Sequence, residues 1–340
     1  MKFVIKVFAL SLLTLIGSPV QAQEVKLRLH HFLPPQEGVA ANVIVPLAER
    51  IQSESNGRIE VQVFPAMQLG GTPPQLFDQV KGGVVDMAWV ALGYTPGRFR
   101  RSEVFELPFV SRKAEPTSRA FWRYVQDHAQ DEFKDVHLLA TFVHGPGLLH
   151  ANTKMETPED LNGLTLRGQS SVTNDYLGAM GAEAVGMPMP ATPEALSKGV
   201  LDGIAAPWSI VPTMRLEELV RHHTEFAGDG SLFTLTFALV MNRNSYESLP
   251  DDLKAVFDNN DGLELSALFG AQMDAGDRIG RKRTAATGKN EIVTVSGSMV
   301  KPFTAAADAI NNKWIEGISG GQLLFDAATA LVAEEVAAAK

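Results

Sequence analysis

Between Val25 and Leu92 the chain alternates strand and helix patterns without a break, and that alternation limits the folds open to it. Val25, Leu27 and Leu29 alternate with Lys26, Arg28 and His30, the period of a half-buried strand, which runs into His31-Phe32 and Pro34-Pro35. Val39, Val43, Ile44, Leu47 and Ile51 then recur at helical spacing from Glu37 to Ser55, and Gly57 stops the helix. Ile59, Val61 and Val63 form the next strand, closed by Pro65. Thr72-Pro73 sets a cap residue and a proline at the start of a second helix, which Gly82-Gly83 ends. Val84 to Leu92 is apolar enough for a fully buried strand. Strands that alternate with helices in this way pair into a mostly parallel sheet covered by helices, the α/β class.

The stretch from Gly163 to Trp208 repeats this logic. A short strand ends at Arg167, a helix-like run and a proline-punctuated turn follow, and a buried strand from Val200 to Ala205 closes on Pro207-Trp208. A strand end that hands over to a helix is where open α/β sheets bind ligands. Arg167 offers a planar, two-pronged donor for a carboxylate there, with an ordinary surface salt bridge as the competing reading. Lys81 to Asp86 and Lys198 to Asp202 also echo each other: helix end, glycine, aliphatic pair, aspartate. Each leads to a strand that reaches a tryptophan, Trp89 in one case and Trp208 in the other. The echo predicts two lobes of similar build, each delivering an aromatic side chain to the cleft between them.

A chain of 340 residues has room for two such lobes. Leu235 to Val240 reads as an apolar strand returning to the first. Asp251 to Thr287 contains no proline and reads as one or two long helices, although Gly262, Gly270, Gly276 and Gly280 weaken the pattern. Ile292 to Val295 is the last strand, and helices around Ala305 to Glu316 and Gly321 to Ala338 complete the chain.

The N-terminus sets the expected compartment. Lys2 and Lys6 form a positive segment before an apolar run from Val7 to Ile16 that is too short to span a bilayer, and Val20-Gln21-Ala22 suits a signal peptidase. Met1 to Ala22 is therefore expected to be a cleaved secretion signal, with the mature chain starting at Gln23. The chain has no cysteine, so disulfides, thiolate metal sites, cysteine nucleophiles and a lipid anchor on cysteine are all excluded. Loss of Lys2 and Lys6 takes the net charge from −9 to −11 (−9 − 2), which disfavours nucleic acid and anionic membrane as partners.

No enzyme signature survives inspection. Gly317-Ile318-Ser319-Gly320-Gly321 spells a nucleophile elbow, but a helix precedes it and no histidine follows it. The histidines include the adjacent pairs His30-His31 and His222-His223 but no HxxxH or HExxH, so no metal site is expected. Phosphate-loop and dinucleotide signatures are absent, and no cofactor is expected. The acidic residues Asp127, Asp131, Glu132 and Asp135 fall along a helix as a solvated face. What remains is suited to binding. Arg167 can pair a carboxylate, and Phe32, Trp89, Tyr94, Phe142, Met189 and Trp208 lie at strand ends or on loops. His31 and Gln169 stand beside them, completing the candidate ligand contacts. For each aromatic taken singly, core packing is an equal reading.

Taken in order, the segments LRLHHFLPPQ, ERIQSESNGRIEVQVFPAMQLGG, GGVVDMAWVALGYTPGRF, ELPFV, ETPEDLNGLTLRG and LGAMGAEAVGMPMPATPEALSKGVLDG resemble the secreted, DctP-like solute-binding subunits of TRAP transporters. The resemblance covers nearly the whole mature chain. It implies a type II periplasmic binding fold, with two α/β lobes, a ligand cleft between them and a long helix spanning both. Residues 23–147 plus 233–270 would form the first lobe, and 148–232 plus 271–340 the second. It also implies a periplasmic, monomeric receptor that closes on a small organic acid and delivers it to an ion-gradient-driven membrane permease. Arg167 falls on the family's carboxylate-gripping arginine, and Met189 on a ligand-contacting apolar position. Two departures stand out: Gly147 occupies the position of a second arginine carried by many members, and Ala206 that of an asparagine before Pro207. These losses, with Trp208 nearby, imply a less polar pocket and a monocarboxylate with an apolar or aromatic body. A receptor for a small amine and a ligand-sensing protein that signals to a membrane partner are the alternatives.

Overall fold

The computed structural model describes residues 25–228 and 230–339; the expected signal segment Met1–Ala22 and the start at Gln23 lie outside them. Eleven strands among the described residues form two sheets, each with helices packed against it. The first sheet contains β1 (Val25–His30), β2 (Ile59–Phe64), β3 (Met87–Ala91), β4 (Val136–Val143) and β10 (Thr236–Asn242), in the order β2-β1-β3-β10-β4. The second contains β5 (Leu148–Ala151), β6 (Thr165–Gly168), β7 (Glu183–Gly186), β8 (Gly203–Ala206), β9 (His222–Phe226) and β11 (Glu291–Val295), in the order β11-β9-β5-β8-β6-β7. The pairings β1–β2, β1–β3, β6–β7 and β6–β8 are parallel, as the strand–helix alternation requires. β10 returns to the first sheet and runs antiparallel between β3 and β4. The chain therefore crosses between lobes at β4–β5 and again at β9–β10.

The internal echo is a shared structural device. Strands β3 and β8 begin later than the apolar runs, because Val84 and Val200 lie in the preceding turns with 55% and 59% exposure. The following aspartate locks each strand to its parallel neighbour. Asp86 accepts the Arg28 N–H at 2.9 Å and donates its own N–H to the Arg28 carbonyl at 3.1 Å. Asp202 makes the same pair with Thr165, at 2.8 and 2.9 Å.

The run after Pro250 forms two helices, Asp251–Asp258 and Gly262–Ala286. The longer one braces both lobes, and the glycines that weaken its sequence pattern are where it touches them. A Cβ at Gly270 would lie 2.6 Å from the Ala114 carbonyl of the first lobe, and one at Gly280 would lie 2.0 Å from the Trp208 carbonyl of the second. Two aspartates on this helix add polar ties. Asp274 accepts the N–H groups of Ala114 and Glu115, which open the helix Ala114–Tyr124, at 2.8 and 3.0 Å. Asp277 accepts the Ser209 N–H at 2.6 Å.

The expected lobe division changes at the C-terminus. A boundary at residue 270 cuts the long helix, which both lobes share. Helix Lys301–Glu316 packs on Ser171–Ala179 of the second lobe, but the last helix, Gly321–Ala338, returns to Ala114–Tyr124 of the first. Its Leu324, Ala328 and Val332 recur every four residues and bury one stripe there, and Glu334 and Glu335 pair with Arg123.

Candidate functional site

Between the sheets, where β3, β6 and β8 end, lies a cavity whose atom-free space is about 410 Å³ when the open solvent at its mouth is included. Its walls are mostly apolar: Phe32, Leu33, Trp89, Leu235 and Phe237 from the first lobe, Met189, Pro207 and Ile210 from the second, and Met273 from the long helix. Tyr94, Glu37, His144, Arg167, Gln169 and Ser209 bring the polar atoms. The Tyr94 hydroxyl, from the first lobe, accepts the Met189 N–H at 3.0 Å and Arg167 Nη2–H at 3.4 Å. Those second-lobe contacts hold the two walls together in this conformation.

Arg167 is fully buried. Its Nε donates to the Met187 carbonyl at 2.7 Å and its Nη1 to the Ala205 carbonyl at 2.9 Å. Two carbonyls and a phenol orient the guanidinium without neutralising it, and no carboxylate among the described residues lies within ion-pair distance. Burial lowers its pKa below the ordinary arginine value, yet a guanidinium keeps its proton in proteins. A buried cation without an anion is costly, and an entering carboxylate removes that cost.

The neighbouring polar groups are neutral or occupied. His144 Nδ1 donates to the Gly145 carbonyl at 2.6 Å, and Gln169 Nε2 donates to His144 Nε2 at 2.8 Å, so this imidazole carries one proton. Burial holds its pKa at about 4. Glu37 accepts the N–H groups of Val39 and Ala40 at 2.9 and 3.0 Å, and burial raises its pKa to about 6. The Trp89 indole N–H is buried with no acceptor among the described residues.

The cavity brings together Arg167, Met189, Phe32, Trp89, Tyr94 and Gln169 of the sequence candidates and omits three. Trp208 turns away from it. Its ring packs on His150 and His223, with centroids 5.5 and 5.3 Å away, and its N–H donates to Glu225 at 3.2 Å, so the second lobe does not supply a tryptophan to the cleft. Phe142 lies one layer back, stacked on Phe269 with centroids 4.1 Å apart. His31 stands behind Trp89, its centroid 5.9 Å from the indole. Leu33, Glu37, His144, Leu235, Phe237 and Met273 are wall residues that the sequence patterns did not single out. They are strand, turn and helix residues whose spacing is that of any core.

The glycine at the position of the second arginine is structurally required. A Cβ at Gly147 would lie 2.2 Å from the Phe233 ring and 2.6 Å from its carbonyl. Phe233 thus fills the space next to the backbone, and Gly147 N–H donates to the Phe233 carbonyl at 2.9 Å. Gly147→Ala is expected to cost about 1–3 kcal/mol through overpacking. Urea unfolding checks this, and an unchanged midpoint would contradict it.

Glu106, behind the cavity, gives a pH test. It is fully buried, its Oε1 accepts the Thr236 hydroxyl at 2.6 Å, and its Oε2 has no hydrogen-bond partner among the described residues. Burial raises its pKa to about 7 from 4.5. The native state therefore binds this proton more tightly than the unfolded chain does, and the residue's contribution to stability falls as pH rises from about 4.5 through 7. Glu106→Gln should gain stability relative to the parent as pH goes from 5 to 8.5, seen as a diverging pair of urea midpoints. Parallel midpoints would show that this carboxyl stays ionised throughout.

An enclosed, apolar cleft between two α/β lobes, with one unneutralised guanidinium at its wall, defines a receptor for a small organic acid. The chain belongs to the DctP family, bacterial extracellular solute-binding protein family 7, whose model matches residues 29–316. A TRAP solute-binding protein from Rhodoferax ferrireducens T118, in complex with copurified benzoate, is 44% identical, with a TM-score of 0.90 over 93% of this chain and 99% of that one. A marine metagenome TRAP solute-binding protein specific for aromatic acid ligands, in complex with metahydroxyphenylacetate, is 42% identical, with a TM-score of 0.90 over 92% and 99%. A TRAP periplasmic solute-binding protein from Bordetella bronchiseptica, with bound (R)- and (S)-mandelate, is 28% identical, with a TM-score of 0.84 over 91% and 99%. The two-lobe type II fold is common to them. No helix among the described residues is long and apolar enough to cross a membrane.

Proposed function

We propose that this receptor binds an aromatic monocarboxylate in the periplasm and, as a monomer, delivers it to an ion-gradient-driven TRAP permease. The observation that carries the proposal is the fully buried Arg167, which has no paired anion among the described residues and faces a cavity walled by Phe32, Trp89, Tyr94 and Phe237. The carboxylate takes the free edge of the guanidinium, and the ring lies among the aromatic and methionine side chains. Support also comes from the bound acids of the three similar structures, each an aromatic monocarboxylate. A second carboxylate would meet no second cation, since the Gly147 position is closed by Phe233. An ammonium ligand would be repelled by Arg167.

A thermal-shift panel of benzoate, 3-hydroxybenzoate, phenylacetate, succinate and benzylamine tests this reading. A ligand at a hundredfold excess over its dissociation constant adds about 2.7 kcal/mol to the folded state. The three aromatic acids are expected to raise the melting temperature, and succinate and benzylamine to leave it unchanged. A response to succinate or benzylamine alone would overturn the proposal.

A further inference from the structure

Beneath Trp208, on the side away from the cavity, two fully buried histidines face each other across the second sheet. His150 on β5 and His223 on β9 are register partners, and their Nδ1 atoms lie 2.7 Å apart. The other nitrogen of each ring is committed. His150 Nε2 is 3.1 Å from the Ala206 carbonyl, which can only accept, so Nε2 carries a hydrogen. His223 Nε2 is 3.1 Å from Asn290 Oδ1. The orientation of that amide is fixed, because Asn290 Nδ2 donates to the Glu217 carbonyl at 3.0 Å and to Thr287 Oγ1 at 2.8 Å. Thr287 Oγ1 itself donates to the Thr284 carbonyl at 2.8 Å and has only a lone pair to offer Asn290. His223 Nε2 therefore carries a hydrogen too.

A neutral imidazole has one N–H. With both hydrogens on Nε2, two bare lone pairs would oppose each other at 2.7 Å. Turning either ring over would set carbon against both of its partners, and moving one hydrogen to Nδ1 would leave the Ala206 carbonyl or Asn290 Oδ1 without a donor. We infer that His150 and His223 form a proton-binding site, holding one proton between their Nδ1 atoms as a shared imidazole–imidazolium pair.

The surroundings leave room for one positive charge at most. The Trp208 ring lies against both imidazoles, tilted at 33° to His223 and in an edge contact at 75° with His150, with centroids 5.3 and 5.5 Å away. Of the charged groups on the elements packed around the pair, Glu225 on β9 holds Arg281, Glu217 holds Arg283, and His222 and Lys154 meet Glu291 on β11. Arg167 approaches from the other side, through the Ala205 carbonyl. Burial lowers the pKa of both rings, and the neighbouring His223 lowers that of His150 further, so charging both rings at once is opposed. Two rings this close titrate as a unit, and the hydrogen-bond geometry, against the burial, is what holds the one shared proton. His150 Nε2–H holds the Ala206 carbonyl, at the end of β8 between Ala205, which orients Arg167, and Pro207, which lines the cavity. The inference rests on this hydrogen-bond network alone and stands whatever the ligand proves to be.

Long-range proton–nitrogen correlation spectra of the 15N-labelled protein, recorded from pH 6 to 8, test it directly. Both rings are expected to show Nε2–H, with both Nδ1 resonances midway between their protonated and bare limits and unchanged across that range. His150→Gln and His223→Gln assign the signals, and the remaining ring of each should become an ordinary neutral imidazole. If neither variant folds, the ring-current change in Trp208→Phe identifies the pair. One ring found as the neutral Nδ1–H tautomer, or both Nδ1 atoms at the bare limit, would overturn the inference.

Discussion

Arg167→Met is expected to weaken binding of an aromatic acid by two to three orders of magnitude while leaving the unliganded protein folded. The guanidinium is the one buried cation at the cavity wall among the described residues, and a bound carboxylate left without it would stay unpaired in a water-poor site. Truncating one partner of such a pair costs roughly 2–5 kcal/mol, mostly for the charge stranded on the other side. Stability should respond differently. Removing an uncompensated buried charge relieves its desolvation cost, while the Met187 and Ala205 carbonyls each lose a donor. These effects oppose each other, so the urea midpoint of the free protein should change by no more than about 1 kcal/mol in stability terms. Calorimetric titration and urea unfolding separate the two. A variant that binds within a factor of two of the parent would remove Arg167 from the site.

Trp208→Ala is expected to do the reverse. The indole is nearly buried among His150, His223 and Glu225, on the far side of the loop whose Pro207 and Ser209 line the cavity. Truncating a buried tryptophan costs about 3–5 kcal/mol, from lost burial and the cavity left behind. Here it also removes a hydrogen bond to Glu225. Ligand contact is indirect, so affinity measured where the variant is still folded should fall by less than about tenfold, or 1.4 kcal/mol. A stable variant that no longer binds would put Trp208 in the site after all.

The contrast between these residues shows what the sequence could convey. Arg167 was legible because a charged residue at the end of an apolar strand has no place in a core unless something pairs with it. The lobes were legible because period and punctuation mark strands and helices, and the two Gly–aliphatic–Asp echoes became matching strand locks. The facing of aromatics was not. Trp89 and Phe142 lie on stretches of strand in which successive residues are all buried, so alternation carries no sign of which face meets the cavity. Trp208 follows Pro207 into a turn of 3-10 helix, where no strand parity applies. Met273 and Leu235 reach the cavity through the path of the long helix and the return of β10, which are tertiary facts. The last helix was assigned to the wrong lobe for the same reason, since its apolar stripe fits either.

The central claim is that a lone buried guanidinium selects a carboxylate carried by an aromatic ring. Its most direct test is a calorimetric comparison of benzoate with benzamide, which keeps the ring and the planar group but removes the charge. If Arg167 needs an anion, benzoate binds and benzamide binds at least thirtyfold more weakly, the lower end of the roughly 2–5 kcal/mol expected for an unpaired buried charge. Equal affinity for the two would show that the site reads shape rather than charge, and would contradict the account.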